Sequence, residues 1–226
     1  MHTWWKISHD KSIVAVEIDL SIVQAPSSSD LHFWALQASF TSGGASLGAG
    51  HLGLQWIDSY PGNTAVNWGG YRDQSLGGGT LDGTDSPLPS AIGNPHTRNF
   101  SWAEGERYRL RIDRGRIGWR GSVRSPDGAV VAVRELLSEE EELAHIVMWS
   151  EVFAPCEGPS ATASWSNAEI HTTDGVAESV TEFVTSYQGV SDGGCSNTSI
   201  EVHGAAVLHR TATRRSSSAG ATVATR

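Results

Sequence analysis

Trp149 and Glu151 stand two residues apart in HIVMWSEVF, and strand alternation turns both to one side while Ile146, Met148 and Val152 go to the other. An indole beside a carboxyl can hold a polar ligand against an apolar ring, and a carboxyl that keeps its proton can donate it. The stretch GHLGLQWIDSYPGNTAVNWGGYRD at 50 to 73 adds amides and a phenol. With Leu52, Leu54, Trp56, Val66 and Trp68 inward, the opposite face carries His51, Gln55, Asn67 and Tyr71 over a floor of Gly53 and Gly69. An amide supplies donor and acceptor together, which suits a hydroxyl-rich ligand. In ATASWSNAEIH, Trp165, Asn167 and Glu169 share a face by the same alternation, core or solvent being left open. Gln55, Asn67, Tyr71, Trp149, Glu151 and Asn167 are therefore the candidate ligand-binding residues. Against this, glycines in strands also mark bends of a curved sheet, and a tryptophan can lie under a loop.

Arginine provides a second constellation. Between residues 98 and 124 eight arginines face Glu104, Glu106 and Asp113, so this segment carries +5 and the rest of the chain −14. Arg107, Arg109 and Arg111 share a strand face, and matching Ile112 to Ile117 and Leu110 to Trp119 across a turn at Arg114 and Gly115 sets Arg109 opposite Arg120. Like charges so opposed call for a negative partner. It is either an anionic polymer, with Arg107, Arg109, Arg111 and Arg120 as its ligands, or Glu17, Asp19 or Glu135 interleaved from neighbouring strands.

Other chemistries lack their residues. GGGTLDG at 77 to 83 has neither the lysine nor the helix of a phosphate loop, and no paired-cysteine or paired-histidine spacing suggests zinc. The sequence calls for no cofactor; Asp82, Thr84 and Asp85 are the residues that could offer oxygens to calcium. Cys156 and Cys195 each lie in a turn-rich loop of the kind disulfides staple, and spacing alone leaves open whether they are bonded.

The elements that must position these groups are strands. Period-two alternation runs through IVAVEIDLSIV, LHFWALQASF, HLGLQWI, TAVNWGGYR, ERYRLRIDR, RIGWRGSVR, AVVAVREL, HIVMWSEVF and ATASWSNAEIH, and no long window keeps a helical rhythm. Residues 73 to 97 read as a long surface loop, and SEEEEL as a helix turn or solvated loop. Strands in this number with Gly and Pro turns make an all-β sandwich or jelly roll. We expect a sandwich over 1–171, a β appendage or edge strands of the same domain over 172–209, and a disordered tail over 210–226. A net charge of −9 speaks against nucleic acid, no run approaches a membrane span, and MHTWWKISHDK has no apolar stretch of a secretory signal.

GAGHLGLQW, the W-x-x-G-x-x-Y-x-L-x-I pattern from Trp102 to Ile112, and WSEVF followed by ASWSN, in that order, resemble the concanavalin A-like lectin and glucanase superfamily. More narrowly, they are similar to bacterial domains of that superfamily often found in exported proteins. The resemblance covers roughly residues 12 to 171 and implies a two-sheet jelly roll whose concave sheet binds or cleaves glycans. Retaining glucanases of the superfamily carry Glu-x-Asp-x-x-Glu on one strand. Here Glu17 and Asp19 are followed by Ile22 in place of the second Glu, and Glu151 has no acidic partner two or five residues on, which leans against an enzyme. The expectation is a non-catalytic carbohydrate-binding domain, extracellular despite the missing signal, with a polysaccharide or glycan as partner and its assembly left open. The alternatives are a glycosidase or polysaccharide lyase with Glu151 as acid or base, and a structural or protein-interaction domain.

Overall fold

The computed structural model describes residues 1–8 and 11–226. Its first eight strands are β1 (His2–Trp5), β2 (Ile13–Gln24), β3 (His32–Ser42), β4 (Ala45–Trp56), β5 (Thr64–Arg72), β6 (Thr97–Asn99), β7 (Arg107–Arg114) and β8 (Gly118–Arg124). The rest are β9 (Val130–Leu137), β10 (Glu142–Val152), β11 (Thr162–Thr172), β12 (Ala177–Ser179), β13 (Glu182–Ser186), β14 (Ser199–His203), β15 (Ala206–Arg210) and β16 (Thr222–Ala224). Pairing is antiparallel and runs in two layers. A front layer has the order β6-β5-β4-β3-β10-β1-β13-β16, and a back layer β9-β8-β7-β2-β11-β15-β14 with β12 beside β11. The layers meet where Leu143 of β10 pairs Ile13 of β2. There β10 bulges between Ala144 and Val147, with His145 at φ 48°, and the extra residue bends the strand out of one layer into the other.

Alternation on both layers makes the core. Val16, Ile18, Leu20 and Ile22 of β2, Leu110 and Ile112 of β7 and Trp165 of β11 face Leu36 and Phe40 of β3, Leu52 and Leu54 of β4, Val66 and Trp68 of β5 and Met148 of β10. Each such side chain is almost wholly removed from water, worth about 1.5–3 kcal/mol apiece for residues of this size. Phe40 from the front and Trp119 from the back stack at 5.6 Å across the seam. No helix among the described residues is long and apolar enough to cross a membrane.

Gly53 marks where β3 and β4 press closest: a Cβ built on it would lie 1.9 Å from the Trp34 carbonyl oxygen and 2.6 Å from Ala35 Cα. Both are backbone atoms of the partner strand and cannot swing aside. Gly53→Ala is expected to cost about 1–3 kcal/mol through forced strand separation, seen as a lower denaturation midpoint; an unchanged midpoint would refute the close approach.

Two expectations are corrected here. The β7–β8 hairpin pairs Ile112 with Gly121, Leu110 with Val123 and Arg114 with Trp119, so Arg120 stands opposite Asp113 and Arg109 opposite Arg124. The turn stays tight but sits two residues further along the chain, at Arg116 and Ile117: Gly115 N–H reaches the Gly118 carbonyl at 2.8 Å, and Ile117 is left on it, 36% exposed. Residues 210–226, expected to be disordered, supply β16, which pairs β13. The Arg215 guanidinium lies 3.8 Å from the Tyr187 ring centre, and the Ser216 and Ser217 hydroxyls cap the Ile200 carbonyl at 3.2 and 2.8 Å. The segment 172–209 adds strands to both layers rather than standing apart.

Candidate functional site

Register lays out the outer face of the front layer. One row crosses the strands as His2, Trp149, Ala35, Gly53 and Asn67, and the next as Trp4, Val147, Gln37, His51 and Gly69. Phe33, Ala35, Val147 and Trp149 form a small apolar cluster of their own on this face, away from the main core. Trp149 is 9% exposed, set edge-on to Phe33 at 4.8 Å, and its indole N–H donates to Gln37 Oε1 at 3.2 Å. Gln37 Nε2 in turn donates to the Tyr71 hydroxyl at 3.4 Å. Tyr71 accepts there, so its own O–H stays available to a ligand; the residue is 43% exposed.

These groups line a cleft of about 490 Å³, together with Glu151, Val152, Phe153, Trp4 and two loops, 153–159 and 193–198. The loops are joined by the Cys156–Cys195 disulfide, Cα to Cα 5.4 Å, and beside it Asn197 Nδ2 donates to the Cys156 carbonyl at 2.7 Å. Glu151 is exposed at the cleft and forms no hydrogen bond or ion pair among the described residues. Burial pushes its carboxyl above the usual range, with the Met1 amine pulling the other way. His2, across from Trp149, and His51, ringed by Phe33, Tyr71 and Trp149 at 5.8 to 6.5 Å, are both held down to about 4 by burial. Both are neutral acceptors or donors near pH 7.

Of the six candidate ligand residues, the structure brings Tyr71, Trp149 and Glu151 to this cleft. Gln55 and Asn67 face the same side but are 5% and 7% exposed. The Tyr60 hydroxyl donates to Gln55 Oε1 at 3.0 Å, and Asn67 Nδ2 donates to Thr97 Oγ1 at 3.0 Å, while Asn67 Oδ1 is buried without a partner; burial takes both amides away from the open face. Asn167 is on the other layer. At φ 53° it forms a bulge between Ser166 and Glu169, so Trp165 turns into the core while Glu169 turns out, and its Nδ2 donates to Asp19 Oδ2 at 2.7 Å. Gln37, Trp4 and Phe153 were not singled out from sequence. Gln37 was readable, since it alternates with Phe33 and Ala35 in LHFWALQASF.

The arginines lie on the outer face of the back layer among carboxylates. Arg109 reaches Glu17 at 3.1 Å, Asp19 at 3.0 Å and Glu169 at 3.5 Å; Arg111 reaches Glu17 at 3.3 Å and Asp113 at 3.2 Å. Arg120 binds Asp113 at 2.7 Å, and Arg107 stands 3.9 Å from Asp19. Glu17, Glu169 and His171 have ligand atoms within 4.8 Å of one another, a spacing that could hold a metal. Two guanidinium groups already occupy Glu17, and a metal ion would have to displace them. Of the proposed calcium ligands, Thr84 Oγ1 already accepts the Glu135 N–H at 3.0 Å.

No family model and no curated protein matches the chain. Among solved structures, it is similar to scytalido-glutamic peptidase with a peptide-based transition state analog, at 10% identity and a TM-score of 0.47, over 92% of this chain and 95% of that one. A second structure of that peptidase, with a transition state analog inhibitor, gives 10% and 0.45 over the same shares. SCP-B, a member of the Eqolisin family of peptidases in a complex with the tripeptide Ala-Ile-His, gives 10% and 0.46 over 92% and 94%. The expectation of a non-catalytic carbohydrate-binding domain, and with it the leaning against an enzyme, is corrected: Gln55 and Asn67, the amides its platform needed, are 5% and 7% exposed and each is engaged within the chain.

Proposed function

We propose that the cleft beside Trp149 takes an extended polypeptide segment and that Glu151 serves its hydrolysis. The observation that carries this is the charge of the lining: among the described residues Glu151 is its one charged side chain, with a carboxyl raised by burial. A carboxyl poised above the ordinary range can act first as base and then as acid. Glu151 would take a proton from water as the water oxygen adds to the peptide carbonyl carbon, then return it to the nitrogen as the C–N bond breaks, leaving an acid and an amine.

The rest of the lining supports a peptide. Trp4, Val147, Val152 and Phe153 offer apolar contact for side chains, and Gln37, Tyr71 and Asn197 offer polar groups for a backbone that needs both donors and acceptors. No arginine or lysine among the described residues lines the cleft, which disfavours an anionic polymer. Trp149 is pinned edge-on by Phe33 and has no open face for stacking. We further read the layers as a jelly-roll sandwich of the concanavalin A-like kind, supported by a chain that crosses repeatedly between them, and the setting as extracellular, supported by a disulfide.

The test is incubation with a mixed peptide pool from pH 3 to 8, fragments read by mass spectrometry and binding by tryptophan fluorescence. Cleavage is expected, with Glu151→Gln lowering kcat about 100-fold or more and leaving binding in place. The rising limb of the pH profile should lie above that of an ordinary carboxyl. Cleavage that survives Glu151→Gln overturns the assignment of Glu151; neither cleavage nor binding overturns the peptide reading.

A further inference from the structure

The open edge of the sandwich, where β6 of the front layer faces β9 of the back, holds two cations. Arg98 lies across from the core residue Val66, so its side chain leaves β6 on the core side. Arg134 comes from β9 and is only 6% exposed. Its Nη1 donates to the Pro95 carbonyl at 2.7 Å, and Gly83 packs so close that a Cβ there would meet Arg134 Nη2 at 2.3 Å. Neither guanidinium takes part in an ion pair among the described residues. Arg134 Nε, Arg98 Nε and His96 Nδ1 are all buried without a hydrogen-bond partner.

That arrangement is costly as it stands. A guanidinium keeps its charge under any ordinary condition, and a buried charge is tolerated only when something of opposite sign or its hydrogen bonds are supplied. Burial and the charge of Arg98 both push Arg134 below its usual value, with Asp82 and Asp85 opposing. Two unfilled Nε–H donors on two like charges, with an unpartnered imidazole nitrogen beside them, describe the inside of an anion site.

We propose that a small inorganic anion, halide or oxyanion, binds between Arg98 and Arg134 and fastens the segment 82–97 over the edge of the sandwich. It would accept from the two Nε–H groups, with His96 beside it. This site is separate from the cleft and does not depend on the function assigned there. The same positive charge works against calcium at Asp82 and Asp85.

The protein is melted at fixed ionic strength while gluconate is replaced by chloride, sulfate or phosphate, and crystals of the unaltered protein grown in bromide are examined for anomalous scattering. A saturable rise in melting temperature of a few degrees is expected for a site filled well above its dissociation constant. Arg98→Met and Arg134→Met should each lose that rise, and a bromide peak should lie within hydrogen-bond reach of both guanidiniums. An equal rise in the variants, no rise at all, or bromide absent from this edge overturns the proposal. The bromide result decides it alone should either variant fail to fold.

Discussion

Replacing Cys156 and Cys195 with serine is expected to destabilise the protein by about 4 kcal/mol, the chain-entropy value for a closed loop of this length, and to open one wall of the cleft. The two cysteines are 39 residues apart. Between them the chain runs through β11, β12 and β13, each held by its own ladder, so both layers should survive the change. What the bond chiefly holds is the loop at 153–159 against that at 193–198; between the two runs the hydrogen bond from Asn197 to the Cys156 carbonyl, while Arg215 and Thr213 tie 193–198 from the other side. Urea unfolding should show the midpoint falling and the slope rising, since the unfolded chain without its cross-link is less compact, and limited proteolysis should cut within 153–159 while the strands resist. Peptide binding should weaken with it, since those loops form the far wall against Trp149. A midpoint within error of the parent would show that the loops are held by something else.

How far such features can be read from sequence depends on what decides them. The face of β2 was legible because Val16, Ile18, Leu20 and Ile22 meet a dry layer and alternation has no other solution. The interleaving of arginine with Glu17 and Asp19 was legible too, because like charges on neighbouring strands demand it. Alternation gives the side a residue faces, not what lies over it. Gln55 and Asn67 face the predicted side and are lost to Tyr60, in a turn, and Thr97, at the end of a long aperiodic loop. At Asn167 alternation itself fails: one extra residue in the left-handed region, which asparagine tolerates, reverses every side chain after it. The hairpin register slipped because matching Ile112 to Ile117 treats Ile117 as a core residue of the return strand, whereas it sits on the turn itself, 36% exposed, and the pairing shifts accordingly. The cleft wall was out of reach because it joins β1, β10 and the loop before β14, parts of the chain up to about two hundred residues apart whose meeting no local pattern encodes.

Arg109→Met should be the most damaging single change on the outer face of the back layer. Arg109 is 19% exposed and holds Glu17 and Asp19, themselves 11% and 10% exposed; it also donates to the Asn167 carbonyl at 3.0 Å and so secures the bulge. Taking away one member of a nearly buried ionic group leaves the others uncompensated, at a cost of about 3–5 kcal/mol. The dependence on pH identifies the cause. Burial alone would raise the Glu17 carboxyl, but hydrogen bonds from Arg109 and His171 and the charges of Arg109 and Arg111 outweigh it and bring it from 4.5 to about 2. A group lowered on folding contributes its full stability above 4.5 and loses it as the pH falls toward 2, here at most about 3 kcal/mol. Without Arg109 the burial of Glu17 is opposed only by His171 and Arg111, its carboxyl moves up, and protonation relieves the variant where it harms the parent. The stability gap between parent and Arg109→Met, measured by urea unfolding, should therefore be widest at pH 7 and narrow steadily between pH 5 and pH 3. A gap that stays constant over that range would mean that Arg109 stabilises the sheet by packing its stem and not by its charge.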